Sequence, residues 1–362
     1  MLAKATISLA EQLRRRIASE GPISVHDFME TCLADPVSGY YIARQPIGST
    51  GDFITAPEIS QIFGELLGLW AGCVWQSMSE PDAITLAELG PGRGALMADA
   101  LRAIKSMPRL HKHISIALIE TSPVLREAQA DTLGNFDVAW FDSIDEVPDA
   151  PLILLANEFL DALPIHQYVR RADGWHERCV GRAHDALAYV ERGEATELDL
   201  ASELPPAEPG AIFETRPAVT RLIAALAART KPVAALFIDY GHARSGFGDT
   251  LQAVRGHQFA NPLEAPGEAD LSAHVDFADL TRQAGVAGLR SFGPMSQGQF
   301  LFKLGLEARR DALLQHANFD QRQAIITGTD RLIDPRVMGE LFTVLALTSE
   351  TVPPPPPFLE AN

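Results

Sequence analysis

The strongest chemical signal in the sequence is the run Glu88-Leu89-Gly90-Pro91-Gly92-Arg93-Gly94. It follows an apolar stretch, Ile84–Leu89, and leads into a helical pattern, Leu96–Met107. Glycines at alternate positions let the backbone turn sharply and admit a ligand close to it. The free N–H groups of a helix N-terminus lie just beyond. Two cofactors suit such a turn. A dinucleotide needs G-x-G-x-x-G or A, which Gly90, Gly92 and Ala95 satisfy. S-adenosylmethionine suits an acidic residue followed by G-x-G-x-G, which Glu88, Gly90, Gly92 and Gly94 satisfy. Charge separates the two. A pyrophosphate is anionic and disfavours a carboxylate beside it, whereas the methionine part of S-adenosylmethionine carries an ammonium and a sulfonium. Glu88 therefore favours S-adenosylmethionine and keeps an NAD-dependent oxidoreductase as the alternative.

Further polar residues fall at the ends of apolar runs. Glu120 ends Ile114–Ile119 and is placed to accept hydrogen bonds from both hydroxyls of a ribose. Asp142 and Ser143 follow Val138–Phe141 and are candidates to meet the adenine, though Asp-Ser after a strand is also a common turn or helix cap. Asn157-Glu158-Phe159-Leu160-Asp161 follows Leu152–Ala156. Asn157 is assigned to the cofactor. Glu158 and Asp161 are three apart, so on a helical turn they share a face, and paired carboxylates can hold a guanidinium. Asp239-Tyr240-Gly241-His242 ends another run, Val233–Ile238, and His274-Val275-Asp276 ends a long polar stretch. Both carry modest weight, because a lone histidine is more often structural. No metal site is expected.

The elements that position these residues are readable from the alternation of short apolar runs and helical stretches, which predicts βαβ units and a parallel sheet. Ser60–Met78 carries a broad apolar helical face. Ile165–Arg171, Trp175–Gly181 and Leu187–Glu191 read as an inserted antiparallel segment. Residues 241–274 are too long for an ordinary connection. Val286–Phe292 and Gln299–Leu304 are expected to close the sheet as an antiparallel hairpin, with a helical appendage over 306–347 and an exposed Pro-rich tail at Pro353–Pro357.

The chain has 362 residues, with 47 acidic against 30 basic, for a net charge of −17. That balance argues against nucleic-acid binding, which draws on Lys and Arg, and suits either a basic partner or simply a solvated acidic surface. No run of about 18 apolar residues occurs, so no membrane insertion is expected. Three cysteines in no metal-binding spacing point to a reducing compartment.

Together these segments resemble the MidA-like methyltransferases. The likeness rests on residues 51–66 (Gly-Asp-Phe-Ile-Thr-Ala-Pro-Glu onward), Glu88–Gly94, Asn157–Pro164, Asp239–His242 and Ala265–Leu271, with Ala56 a small departure. The resemblance implies a class I, Rossmann-like α/β fold with a doubly wound, mostly parallel sheet. It divides the chain into an N-terminal helical region (1–80), a methyltransferase core (81–305) with insertions near 165–215 and 241–275, and a C-terminal appendage (306–362). It also implies symmetric dimethylation of an arginine in a respiratory complex I subunit. Glu158 and Asp161 then orient the guanidinium, and Asp52 or Glu58 closes over it. A non-catalytic assembly protein on the same fold stays open. The expected compartment is the bacterial cytoplasm, with the mitochondrial matrix as the alternative.

Overall fold

The computed structural model describes residues 7–43, 55–198, 200 and 204–358. The chain divides into two compact units, one drawn from residues 1–53, 162–219 and 244–274, the other from 54–161, 220–243 and 275–362. Where the sequence reading draws three consecutive segments, the chain passes repeatedly between two interleaved ones.

The second unit holds an eight-stranded sheet. Its main strands are β1 (Ile84–Leu89), β2 (Ile114–Ile119), β3 (Val138–Phe141), β4 (Leu152–Asn157), β5 (Val233–His242), β6 (Arg290–Ser296) and β7 (Phe342–Thr348). They lie in the order β6-β7-β5-β4-β1-β2-β3. The pairs from β5 to β3 are parallel, and β7 runs antiparallel to both its neighbours. The chain runs outward from β1 through β2 to β3, then returns to β4 on the other side of β1. This reversal makes a switch point, and ligands of open α/β sheets bind at the carboxyl ends of the strands there. Every residue of β1, β4 and β7 is buried, as in strands covered on both faces.

Three helices matter for the site: α1 (Gln61–Ser77), α2 (Ala95–Ile104) and α3 (Pro123–Leu133). Phe63 and Trp70 of α1 share one core with Leu86, Ile153, Leu236 and Val344 of the sheet. Burying each such side chain stabilises the fold by roughly 1.5–3 kcal/mol.

The closing strands differ from the expectation. Gln299–Leu304 is no strand, because Gln297–Lys303 is helical and turns Phe300 and Leu301 inward. Its place is taken by β7, inside the stretch read as helical appendage. Phe342–Thr348 mixes β-branched and aromatic residues, which suit a pleated, buried surface. Short apolar runs do not reveal by period whether they are helix or strand. β6 begins at Arg290 because the preceding helix extends to Val286. The Pro-rich tail is also packed: Trp70 Nε1–H donates to Pro356 O at 2.7 Å, and Phe358 lies 5.8 Å from the Phe300 ring.

The first unit contains a five-stranded antiparallel sheet. His166–Arg171, Gly174–Ala183 and Ala186–Thr196 match the expected insertion, and Ile23–Ser24 and Ile212–Thr215 add to it. The stretch expected as a long loop holds a small sheet of Gln252–Arg255, Gln258–Ala260 and Asp270–Ser272. Helices Leu9–Glu20 and Val25–Ala34 supply Leu13, Phe28 and Met29 to this unit's core. Among the described residues no helix is long and apolar enough to cross a membrane.

If β7 is integral to the sheet, a chain ending at Glu340 should lose cooperative unfolding in urea, because β5 and β6 lose their shared partner. A truncated protein that still unfolds in one sharp transition would contradict this.

Candidate active site

Strand register lines up the site. Leu89 is paired with Ile119 and Ala156, Ile119 with Phe141, and Asn157 with Ile238. The residues that follow therefore line one edge: Asp142, Glu120, Gly90 and Asn157 stand level, and Glu158 and Asp239 lie one residue further on. Backbone bonds carry the row past the strand ends. Gly90 N–H donates to Ile119 O at 3.1 Å, Glu120 N–H to Phe141 O at 3.0 Å and Glu158 N–H to Ile238 O at 2.9 Å.

The glycine turn sits at the centre. Gly90, Gly92 and Gly94 have φ of 58°, 54° and 83°, a region that L side chains rarely adopt. A Cβ at Gly90 would lie 2.7 Å from Phe159 Cδ2. Glu88 is buried beneath the turn, 3% exposed. The backbone N–H of Met97, in the first turn of α2, donates to its carboxylate. Its Oε2 has no hydrogen-bond partner among the described residues. Burial pushes the Glu88 pKa up to about 8, against the pull of that N–H. Asn157 Oδ1, next along the edge, is likewise buried without a partner. An unsatisfied buried acceptor typically costs about 1–3 kcal/mol. Two such acceptors beside a turn open to close approach fit a ligand that brings a cation and donors.

Glu120 occupies the adjoining position. Its Oε1 accepts from Ser122 N–H at 2.8 Å and its Oε2 from Gln129 Nε2 at 3.2 Å. Burial raises its pKa, and those donors oppose the rise. Asp142 is exposed and accepts from Arg126 Nη2 at 2.6 Å. Ser143 caps a short 3-10 turn, Ile144–Glu146, accepting from Asp145 N–H at 3.2 Å. That is the local cap the sequence also allowed.

At the other end of the row the expected helical turn is absent. Glu158 has φ of 50°, and the segment is an irregular turn. What gathers this turn is Asp239, only 1% exposed. Its Oδ2 accepts from the backbone N–H groups of Phe159, Leu160 and Asp161 at 3.2, 2.9 and 3.2 Å, and its Oδ1 from Tyr240 N–H at 2.9 Å. Glu158 Oε1 accepts from Ala56 N–H and Asn157 Nδ2, both at 3.0 Å. Glu158 is thus tied to the start of the four-residue helix Ala56–Ile59, which contains Glu58. Asp161 is buried at 7% exposure. Asp52 lies outside the described residues. His242 Nε2 stands 3.6 Å from Asp276 Oδ2, where Val275–Asp276 pairs with the end of β5.

Residues 66–295 match the family of S-adenosyl-L-methionine-dependent methyltransferases. The chain belongs to that family. It is 38% identical to the mitochondrial protein arginine methyltransferase NDUFAF7 of Danio rerio, covering 92% of this chain and 85% of the relative. The Homo sapiens protein of the same name is 36% identical, with 94% and 83% covered. A superfamily member from Burkholderia thailandensis, solved bound to S-adenosyl-homocysteine, is 27% identical with a TM-score of 0.80, covering 96% of this chain and 93% of that one. This methyltransferase therefore uses S-adenosylmethionine, and the glycine spacing that also suits a dinucleotide does not make it an oxidoreductase.

The burial of Glu88 has a measurable consequence. Its folded pKa of about 8 stands above the ordinary 4.5, so its contribution to stability is fully present below pH 4.5 and is lost as pH rises through 8. In the cofactor-free protein, Tm should fall over that window more steeply in wild type than in Glu88→Gln. Parallel curves for the two proteins would show that Glu88 is not held in this way.

Proposed function

We propose that this methyltransferase methylates a guanidinium nitrogen of an arginine in a protein substrate. The observation that carries the reading is the turn after β4, where Asp239 at the end of β5 gathers the backbone that carries Glu158 and Asp161 and where Phe159 lies against Gly90. Relatives named protein arginine methyltransferases, at 36–38% identity, support it. S-adenosylmethionine, when bound, supplies a methyl group on a cationic sulfur.

In this reading Glu88 and Asn157 hold the amino-acid end of the cofactor beside Gly90, Gly92 and Gly94. Glu120 accepts from the ribose, and Asp142, with Ser143, lies on the adenine side. Arginine stays protonated, with a pKa above about 12, so the chain's task is to orient the guanidinium and localise its charge. Glu158 and Asp161 take that role, Asp239 fixes the turn that presents the pair, and the family resemblance adds Asp52 as a further carboxylate. Positioning of this kind can contribute up to roughly 7–11 kcal/mol to a reaction. The net charge of −17 favours a basic segment as the partner. The family resemblance points to a subunit of respiratory complex I and to symmetric dimethylation. The mitochondrial relatives favour the matrix over the cytoplasm.

Glu158→Gln keeps the acceptor for Ala56 N–H and removes the charge. It should leave S-adenosylmethionine affinity within about twofold and lower kcat on an arginine-bearing protein by about 10²-fold, on the scale of losing one transition-state contact. Calorimetry and single-turnover methyl transfer read the two quantities separately. Loss of cofactor binding with kcat intact would overturn the assignment.

A further inference from the structure

Gln129 breaks the pattern of its helix. The buried residues of α3 are Leu125, Gln129 and Leu133, a stripe spaced four apart in which only the middle position is polar. Gln129 is fully buried. Its Nε2 donates to Gly92 O at 2.8 Å and to Glu120 Oε2 at 3.2 Å, and its Oε1 accepts from Trp140 Nε1–H at 2.8 Å. The partners fix which way the amide points. A carbonyl only accepts and an indole only donates, so the opposite orientation would lose both of those bonds. α3 also runs close against the glycine turn, since a Cβ at Gly94 would lie 3.4 Å from Gln129 Cα.

The amide therefore touches the glycine turn, the carboxylate of Glu120 and the strand that leads to Asp142. Ser122 N–H holds one oxygen of Glu120 and Gln129 holds the other. Thr121 N–H also donates to this carboxylate, so three donors, of which Gln129 is the side-chain one, fix its plane and leave part of its four-site acceptor capacity open. An acceptor held in a fixed plane separates a ligand that carries ribose hydroxyls from one that lacks them.

We propose that Gln129 is a positioning residue that locks the ribose-binding carboxylate of Glu120 to the glycine turn, so that recognition of the ribose hydroxyls depends on it. This rests on reading Glu120 as the ribose ligand. Gln129 touches the turn and the carboxylate and acts on the cofactor only through them.

The test compares S-adenosylhomocysteine with its 2′,3′-dideoxy analogue by calorimetry, on wild type, Glu120→Ala, Gln129→Leu and Trp140→Phe, each checked for folding by its thermal transition. Wild type should prefer the hydroxylated ligand by about tenfold or more, the scale of hydrogen bonds to a charged acceptor. Gln129→Leu should reduce that preference to below about threefold, mainly by weakening S-adenosylhomocysteine. A variant that weakens both ligands equally and keeps the preference acts only through general structure, and overturns the proposal. If Gln129→Leu does not fold, Trp140→Phe carries the same comparison, because it frees only the outer end of the amide. Reduced preference there supports the proposal and unchanged preference overturns it. Glu120→Ala separates the two layers. If it retains the preference, the reading of Glu120 itself fails. If it loses the preference while Gln129→Leu keeps it, only the role of Gln129 fails.

Discussion

Burying the Glu88 carboxylate beneath three left-handed glycines creates a site that either a proton or a bound cation must complete. One oxygen is met by the N–H of Met97, and the other has no partner among the described residues. Placing a carboxylate there requires a strand end that is buried on every side. β1 provides it, because it lies between β2 and β4 and all its residues are buried. Burial keeps this carboxylate protonated up to a pKa of about 8, so a cation that binds there would compete with a proton.

The rest of the row follows from parallel register. β1 and β4 are buried on both faces, so their register rests on the backbone pairing itself, which sets where Gly90, Glu120 and Glu158 fall. Two internal side chains hold the row. Asp239 collects three successive amides of the turn after β4, and Gln129 ties Glu120 to Gly92. Between them stands Glu158 at φ 50°. A non-glycine residue in that region costs on the order of 1–3 kcal/mol and persists only where its surroundings over-determine it. The amides held by Asp239 and the Ala56 N–H on its own carboxylate supply that constraint.

The fold was legible wherever the signal is local. Glycines at positive φ, carboxylates just past apolar runs and the alternation of strand and helix all come from short stretches read one at a time. β7 was missed because a seven-residue apolar run has no period that separates strand from buried helix, and its identity is set by β5 and β6 on either side. Spacing alone puts Glu158 and Asp161 on one helical face, whereas a carboxylate 78 residues beyond Asp161 shapes their turn. In the sequence Asp239 is only the first residue of Asp239–His242 after an apolar run, since nothing near it reveals three converging amides. Gln129 left one trace, a polar residue in the middle of an apolar helical stripe. Its partners lie 37 residues before it and 11 after it.

The most direct test of the Glu88 site is proton counting during cofactor binding. S-adenosylmethionine should be titrated at pH 7 into the cofactor-free protein in two buffers of widely different ionisation enthalpy. Glu88, with a pKa of about 8, is mostly protonated at that pH and must ionise to meet a cation, so about one proton should be released per cofactor bound. Glu88→Gln should bind more weakly and release none. Tight binding by wild type with the same heat in both buffers would contradict a buried carboxylate that exchanges its proton for the cofactor's charge.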